Sequence, residues 1–471
     1  MPRPKLPPRL RSLWRPLASY ALFLLGGVVL LRMDPFGFTR LTKFYSQDLL
    51  AVAMAGCYPD ARVGGKCVKE VAAHAADAGK PNAKSVGRAS TSVVLLRDAD
   101  LTAFSEPWPP RYGFHARILR AIRANKPKAV MMDIVFQDVR DDPTIEALSA
   151  ELDRYKETGI PVYAATFGQG APLRPGVVER VTTVQVPKAI DPLDRVTRFY
   201  DLAIDASDFH PADEPTAVPL VFRDICDGCR GEQSCDAGTV RVFWSIVPDE
   251  SFNDRWLECR RRPKFPWWIF QDRGSDFRED CPATPTIPAR ILLEPTEEDD
   301  VAVEALIKDS VVFYGAFFHG AADAMNTPLH NDLPAVFLHA QTFDNLVTLG
   351  PKAIRHRDRQ VPLLGVALPD FLMLVVIGGI FTLRRTSQRF EEIWNHGLRR
   401  VRSRLGRVVL VALGSQIGML ILLAGVASML ACAFGASEWV LGVNFLFAVT
   451  WTEVLDITEK LFEAADELGP E

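Results

Sequence analysis

Long uncharged apolar runs occur only toward the two ends of the chain, and between them short apolar runs alternate with mixed segments of helical period. Residues 17–31 (LASYALFLLGGVVLL) carry no charge and are bracketed by Arg15 and Arg32. With Trp14 and Met33 the run is long enough for a membrane helix whose flanking arginines reach the interfaces. A cleaved signal peptide is the competing reading, but no small-x-small cleavage site follows, so 17–33 is read as a retained anchor. Three further apolar segments cover 361–383, 408–434 and 439–455. Asn444, Thr450, Thr452 and Glu453 interrupt the last, which can span the bilayer or lie along its interface.

The middle has a different grammar. Residues 92–96 (SVVLL) form a short β-branched run. After Pro109-Pro110, Phe114, Ile118, Leu119 and Ile122 recur at helical spacing until Lys126-Pro127 ends the helix. A second strand is predicted at 129–136, a helix at 144–158 and a third strand at 161–167. Farther on, a helix at 297–307 leads to a strand at 310–318, and a helix follows at 334–349. This repeated strand, helix, strand order predicts an α/β domain with a parallel sheet, helices on its faces and right-handed crossovers. Residues 170–290, richer in Pro, Cys, Arg and Asp, read as an elaboration with a cysteine-rich insertion at 223–285.

Composition narrows the function classes. The 471 residues are 48% hydrophobic and 24% charged, which fits a soluble middle between membrane segments. A net charge of -4 leaves no electrostatic footprint for nucleic acid. Basic residues orient the spans: Arg3, Lys5, Arg9, Arg11 and Arg15 precede the first, and eight arginines lie between 384 and 407. Both stretches are expected in the cytoplasm, outweighing Lys352, Arg355, Arg357 and Arg359 on the other side. The expected order is therefore a basic cytoplasmic N-terminus (1–16), an anchor (17–33) and an extracytoplasmic domain (34–360). A span (361–383), an Arg-rich cytoplasmic loop (384–407), spans at 408–434 and 439–455, and an acidic cytoplasmic tail (456–471) complete it. Cys57, Cys67, Cys226, Cys229, Cys235, Cys259 and Cys281 all fall outside, where disulfides are the expected chemistry. Zinc ligation and redox chemistry are the alternatives, although Cys226-x-x-Cys229 has no matching second pair.

The succession SVVLLRDADL, WPPR with a helix, KPKAVMMDIVFQD, GIPVYAATF, then VVFYGAFFHGAADAMNTPL and LPAVFLHAQTFDNLV resembles the CHASE2 extracytoplasmic sensor domain. The layout is similar too, with one anchor before the domain and three membrane helices after it. The resemblance covers about residues 40–350 and implies bacterial sensing from the inner membrane, with the large domain in the periplasm. Such domains are joined to kinase or cyclase modules. Here about sixteen residues follow Leu455, too few for an output domain, so a separate effector is expected if the protein signals. A structural or assembly module of the envelope is the alternative, with an envelope protein as partner.

Ligands of open parallel sheets sit beyond the carboxyl ends of the strands. Those ends offer Asp98, Asp100, Asp133, Asp138, His319 and Asp323, a set suited to a cation, an amine or a polar ligand. Asp133 stands out because it falls inside an apolar strand, where an unpaired carboxylate is costly. Helix caps and turns are the plainer use of the others. His319, His330 and His339 have no metal-site spacing, no nucleotide-binding or nucleophile-elbow motif occurs, and neither cofactor nor catalysis is expected. Gly414 and Gly418 form a small-x-x-x-small pair suited to close helix contact, within one chain or in a homodimer. The topology predicts that alkaline phosphatase fused after Pro351 is active and that a fusion within 399–407 is inactive; the reverse pattern in whole cells would overturn the orientation.

Overall fold

A computed structural model describes residues 8–34, 41–46, 48, 86–137, 140–166, 173–186, 191, 194–204, 214–225, 238–245, 256–257, 282–318, 323–349, 371, 374, 375, 378 and 379. The chain divides into two compact units, Met1–Leu50 with Arg357–Glu471, and Ala51–His356.

In the first unit, α1 (Pro8–Met33) contains the predicted anchor. Its Phe23 and Leu31 bury with Leu374, flanked by Leu24, Val28, Leu30 and Phe371. These positions recur at helical spacing on both partners, so one stripe of α1 meets one stripe around 371–379. The Tyr20 hydroxyl donates to the Val375 carbonyl at 2.9 Å. A Cβ on Gly378 would stand 2.6 Å from the Phe23 ring, so the ring lies directly on this residue because it is glycine. Leu25, Val29 and Met33 form an exposed apolar stripe. Among the described residues no helix is long and apolar enough to cross a membrane. The predicted spans 408–434 and 439–455, with Gly414 and Gly418, lie outside the described residues, as do most of 361–383 and all eight cysteines.

The second unit is built on a parallel sheet of six strands among the described residues, in the order β4-β3-β2-β10-β1-β9. The strands are β1 (Thr91–Arg97), β2 (Ala129–Asp133), β3 (Val162–Thr166), β4 (Thr182–Gln185), β9 (Thr286–Pro288) and β10 (Val311–Phe317). Alternation divides the sheet into two apolar faces. Val94, Leu96, Val130, Met132, Val162, Ala164, Ile287, Val312 and Tyr314 join the main core. On that face lie α4 (Tyr112–Ala124), α5 (Ile145–Glu157), α8 (Ala289–Leu293) and α9 (Glu297–Ile307). The fully buried carboxylate of Glu151 ties α4 to α5, accepting from Arg123 at 2.7 Å and Arg154 at 3.0 Å. These charge-assisted bonds offset the desolvation of the carboxylate.

The opposite face is covered by α7 (Ala217–Ile225) and α10 (Val336–Leu349). Phe313 of β10 packs on Phe343 of α10 with ring centroids 5.8 Å apart. Two residues along, Gly315 makes the closest approach: a Cβ there would lie 2.5 Å from Val336 Cβ. A glycine is required at this point by contact rather than by backbone angle.

The α/β class and the parallel sheet agree with the sequence pattern, and α9 covers its predicted residues. Two boundaries differ. Strand β2 ends at Asp133 rather than at 136, because Phe136 leaves the sheet to bury against Tyr112 and edge-on against His115 at 5.1 Å. The stretch 170–290, expected as an elaboration only, also supplies β4 and β9, the two edge strands. Both are short, of four and three residues, so neither leaves a long periodic signal.

Placing a methyl group under Val336 should destabilise the protein. We expect Gly315→Ala to cost about 1–3 kcal/mol, and Gly315→Ala/Val336→Ala to cost less than the two single changes together, as read from denaturant unfolding.

Candidate functional site

The strand order reverses around β1, β10 and β2, and the carboxyl ends of these strands carry the predicted acids. They are used in different ways. Asp98 opens α3 (Asp98–Ala103) and is exposed. Asp100 is fully buried and accepts the backbone N–H of Arg97 at 2.7 Å and of Arg290 at 3.1 Å. It thus fastens β1 to α8, and burial raises its pKa against the opposing pull of Arg97. Asp138 and His319 lie outside the described residues.

Asp133 and Asp323 are brought together, and His339 and Tyr200 join them. Asp133 closes β2 in register with Gly315, on the face covered by α10. Val336 of α10 sits over Gly315, and one turn later the His339 side chain reaches Asp133, with Nε2 3.6 Å from Oδ1. Asp323 directly precedes β11 (Ala324–Met325), which pairs antiparallel with β12 (Leu333–Pro334). Its backbone carbonyl accepts the N–H of Ala335 at 3.0 Å, which pins it beside the start of α10. Tyr200 comes from β5 (Phe199–Asp201), paired with β8 (Thr239–Arg241).

The imidazole of His339 has a partner on each of its nitrogens. The Tyr200 hydroxyl accepts the Val218 N–H at 3.4 Å and lies 3.0 Å from His339 Nδ1. The Tyr200 contact at Nδ1 and the Asp133 contact at Nε2 hold the imidazole from both sides. Burial, with the carboxylates of Asp133 and Asp201 adding to it, raises the Tyr200 pKa far above that of ordinary phenols, so the hydroxyl keeps its proton. Crowding by protein atoms and, after it, the charge of Asp133 raise the Asp323 carboxyl to about 7, although the residue as a whole is exposed. Two neighbouring carboxylates resist a second negative charge. The side chain of Asp133 is only 10% exposed, and its Oδ2 is buried with no hydrogen-bond partner among the described residues.

A second buried histidine has a different use. His115 Nδ1 lies 2.7 Å from the Tyr314 hydroxyl in the main core, and burial followed by Arg140 lowers its pKa to about 3. It is a neutral packing residue. His330 is buried beside β12, and its N–H donates to Thr327 Oγ1 at 2.8 Å. Among the described residues no group of three or more His, Cys, Asp or Glu side chains is arranged to hold a metal ion.

A family model for the CHASE2 domain matches residues 80–381. The chain belongs to the CHASE2 family. No match was found among curated proteins or among solved structures. CHASE2 domains are extracytoplasmic sensor modules, and the match embraces the whole described sheet, the Asp133 site and the helical residues at 371–379. Sequence reading found Asp133 and Asp323 from strand-end position but not their partners. The two signals available were the Gly315 that admits α10 and the His339 one turn past Val336.

The Asp323 carboxyl binds its proton more tightly in the folded than in the unfolded chain. Its contribution to stability is complete below the ordinary value of 3.8 and is lost as pH rises through about 7. Melting temperatures of the full chain should therefore fall across that window relative to Asp323→Asn; parallel profiles would show that Asp323 does not titrate there.

Proposed function

We propose that this CHASE2 protein is a non-enzymatic sensor anchored in the bacterial inner membrane. Its periplasmic domain registers a ligand or an envelope signal, and its membrane helices pass the change to a separate effector. Membership of the CHASE2 family carries the sensory part of this reading. Anchoring is supported by the apolar stripe of Leu25, Val29 and Met33, which suits contact with acyl chains. The basic clusters at 3–15 and 384–407 favour the orientation with the domain outside.

Relay is supported by the contact within the first unit. Helix α1 leads toward the sensor domain in sequence, and the residues at 371–379 follow it, so the two segments that flank the domain touch each other. The close approach at Gly378 and the Tyr20 to Val375 hydrogen bond give this pair a defined register. Small changes at such an interface favour discrete rather than graded alternatives. The Arg-rich loop 384–407 follows directly and is the natural docking surface for an effector, with anionic lipid as its resting contact. In this reading, disulfides among the seven extracytoplasmic cysteines brace the insertion at 223–285.

Affinity purification from native membranes after mild crosslinking tests the reading. A stoichiometric kinase, cyclase or other effector should be recovered, and it should be lost when 384–407 is replaced by a neutral linker. Gly378→Val, which wedges the helix pair apart at Phe23, should alter effector output without removing the effector. Recovery of envelope proteins alone would replace relay by a structural or assembly role.

A further inference from the structure

Buried polar atoms in folded proteins are almost all hydrogen-bonded. Asp133 Oδ2 departs from this: it is buried and lacks a partner among the described residues, while Oδ1 faces His339. The group is set at the carboxyl end of β2, beside the central strand of a parallel sheet, where ligands of such folds sit. Its neighbour β10 presents Gly315 in register, with no side chain to pair with it. A second carboxylate, that of the exposed residue Asp323, carries a charge that Asp133 opposes, so the acids form a pair at the solvent edge of the sheet.

A group that donates hydrogen bonds and carries positive charge would both satisfy the buried oxygen and offset the second carboxylate. A metal ion fits poorly. Zinc takes four ligands and calcium six to eight oxygens, and the described residues provide no three-ligand cluster. An ammonium group needs fewer partners. Its three N–H donors match one buried oxygen, one rim carboxylate and water. Strand alternation also places the half-buried Phe317 on the same face as Asp133, two residues beyond Gly315.

We propose that Asp133 and Asp323 form the binding site for a small primary amine, with Asp133 Oδ2 as the buried acceptor, Asp323 as the rim acceptor, and His339 and Tyr200 as positioning residues for Asp133. This rests on the sensor reading and supplies its ligand class. The ammonium displaces the proton of Asp323, so binding strengthens as that carboxyl ionises. The titratable groups facing it are Asp133, His339 and Tyr200, and Tyr200 stays neutral throughout.

Thermal protection of the full chain in lipid nanodiscs, with methylammonium, ethanolamine and 1,4-diaminobutane as probes, tests the proposal. At pH 8 at least one primary amine should raise the melting temperature saturably, while tetramethylammonium, which has no N–H, should not. The half-saturating concentration should rise about tenfold between pH 8 and pH 6, given the Asp323 value of about 7. Asp133→Asn and Asp323→Asn should each weaken binding by tenfold or more. Asp323 is exposed, so that variant is expected to fold even if the change at Asp133 does not. Protection by calcium or zinc but by no amine would make the site a metal site and overturn the proposal. So would protection unchanged in Asp323→Asn, or no protection by any probe, which would leave water as the partner of Oδ2. Effector recovery is measured separately: amine failure with the effector retained removes only the ligand class, and loss of the effector with amine binding intact removes the relay.

Discussion

Helix α10 lies against the sheet only because β10 carries no side chain at Gly315. The approach of Val336 to that backbone sets the height of the helix, and the helix repeat then sets where His339 falls. The register of β10 with β2 sets what it falls on, since Gly315 pairs with Asp133. A steric contact of two residues thus fixes an electrostatic one. With a larger residue at 315 the helix would stand off, and a 3.6 Å gap between imidazole and carboxylate would widen beyond useful interaction.

The same helix is polar where most buried helices are not. His339, Gln341, Thr342, Asp344, Asn345 and Thr348 are all buried on α10. Asn345 accepts the Phe243 N–H at 2.7 Å and donates to the Phe243 carbonyl at 3.2 Å, standing in for a strand neighbour. Asp344 accepts from Thr348 and Gln341. These bonds are directional, so they hold α10 in one rotation about its axis, which an oily interface specifies less sharply. That rotation keeps His339 toward Asp133 and Phe343 toward Phe313.

Strands with long apolar runs and helices with clear stripes were legible in the sequence, because each is a periodic signal within one segment. β1, β10, α4 and α9 are of this kind. β4 and β9 were not, since three or four residues at a sheet edge carry too little pattern. The candidate site was half legible. Asp133 announced itself as a charge ending an apolar strand, and Asp323 by its place after another. Tyr200 lies in a segment without clear period, and its part depends on a β5–β8 ribbon that brings it to α10. His339 looks in sequence like an ordinary helix residue. Only the strand order, with β10 between β1 and β2, puts it over the acid.

That strand order also governs how the domain is made. Thr91 pairs with Val311, so the centre of the sheet is filled by a strand synthesised long after both of its neighbours. Until β10 arrives, β1 and β2 have no common partner, and their apolar faces stay open along inner edges that later become the core. Contacts of such wide sequence separation are slow to form. A chain built in this order passes through a stage in which its middle is exposed and its edges are already built, and that interval is when a chaperone has most to protect.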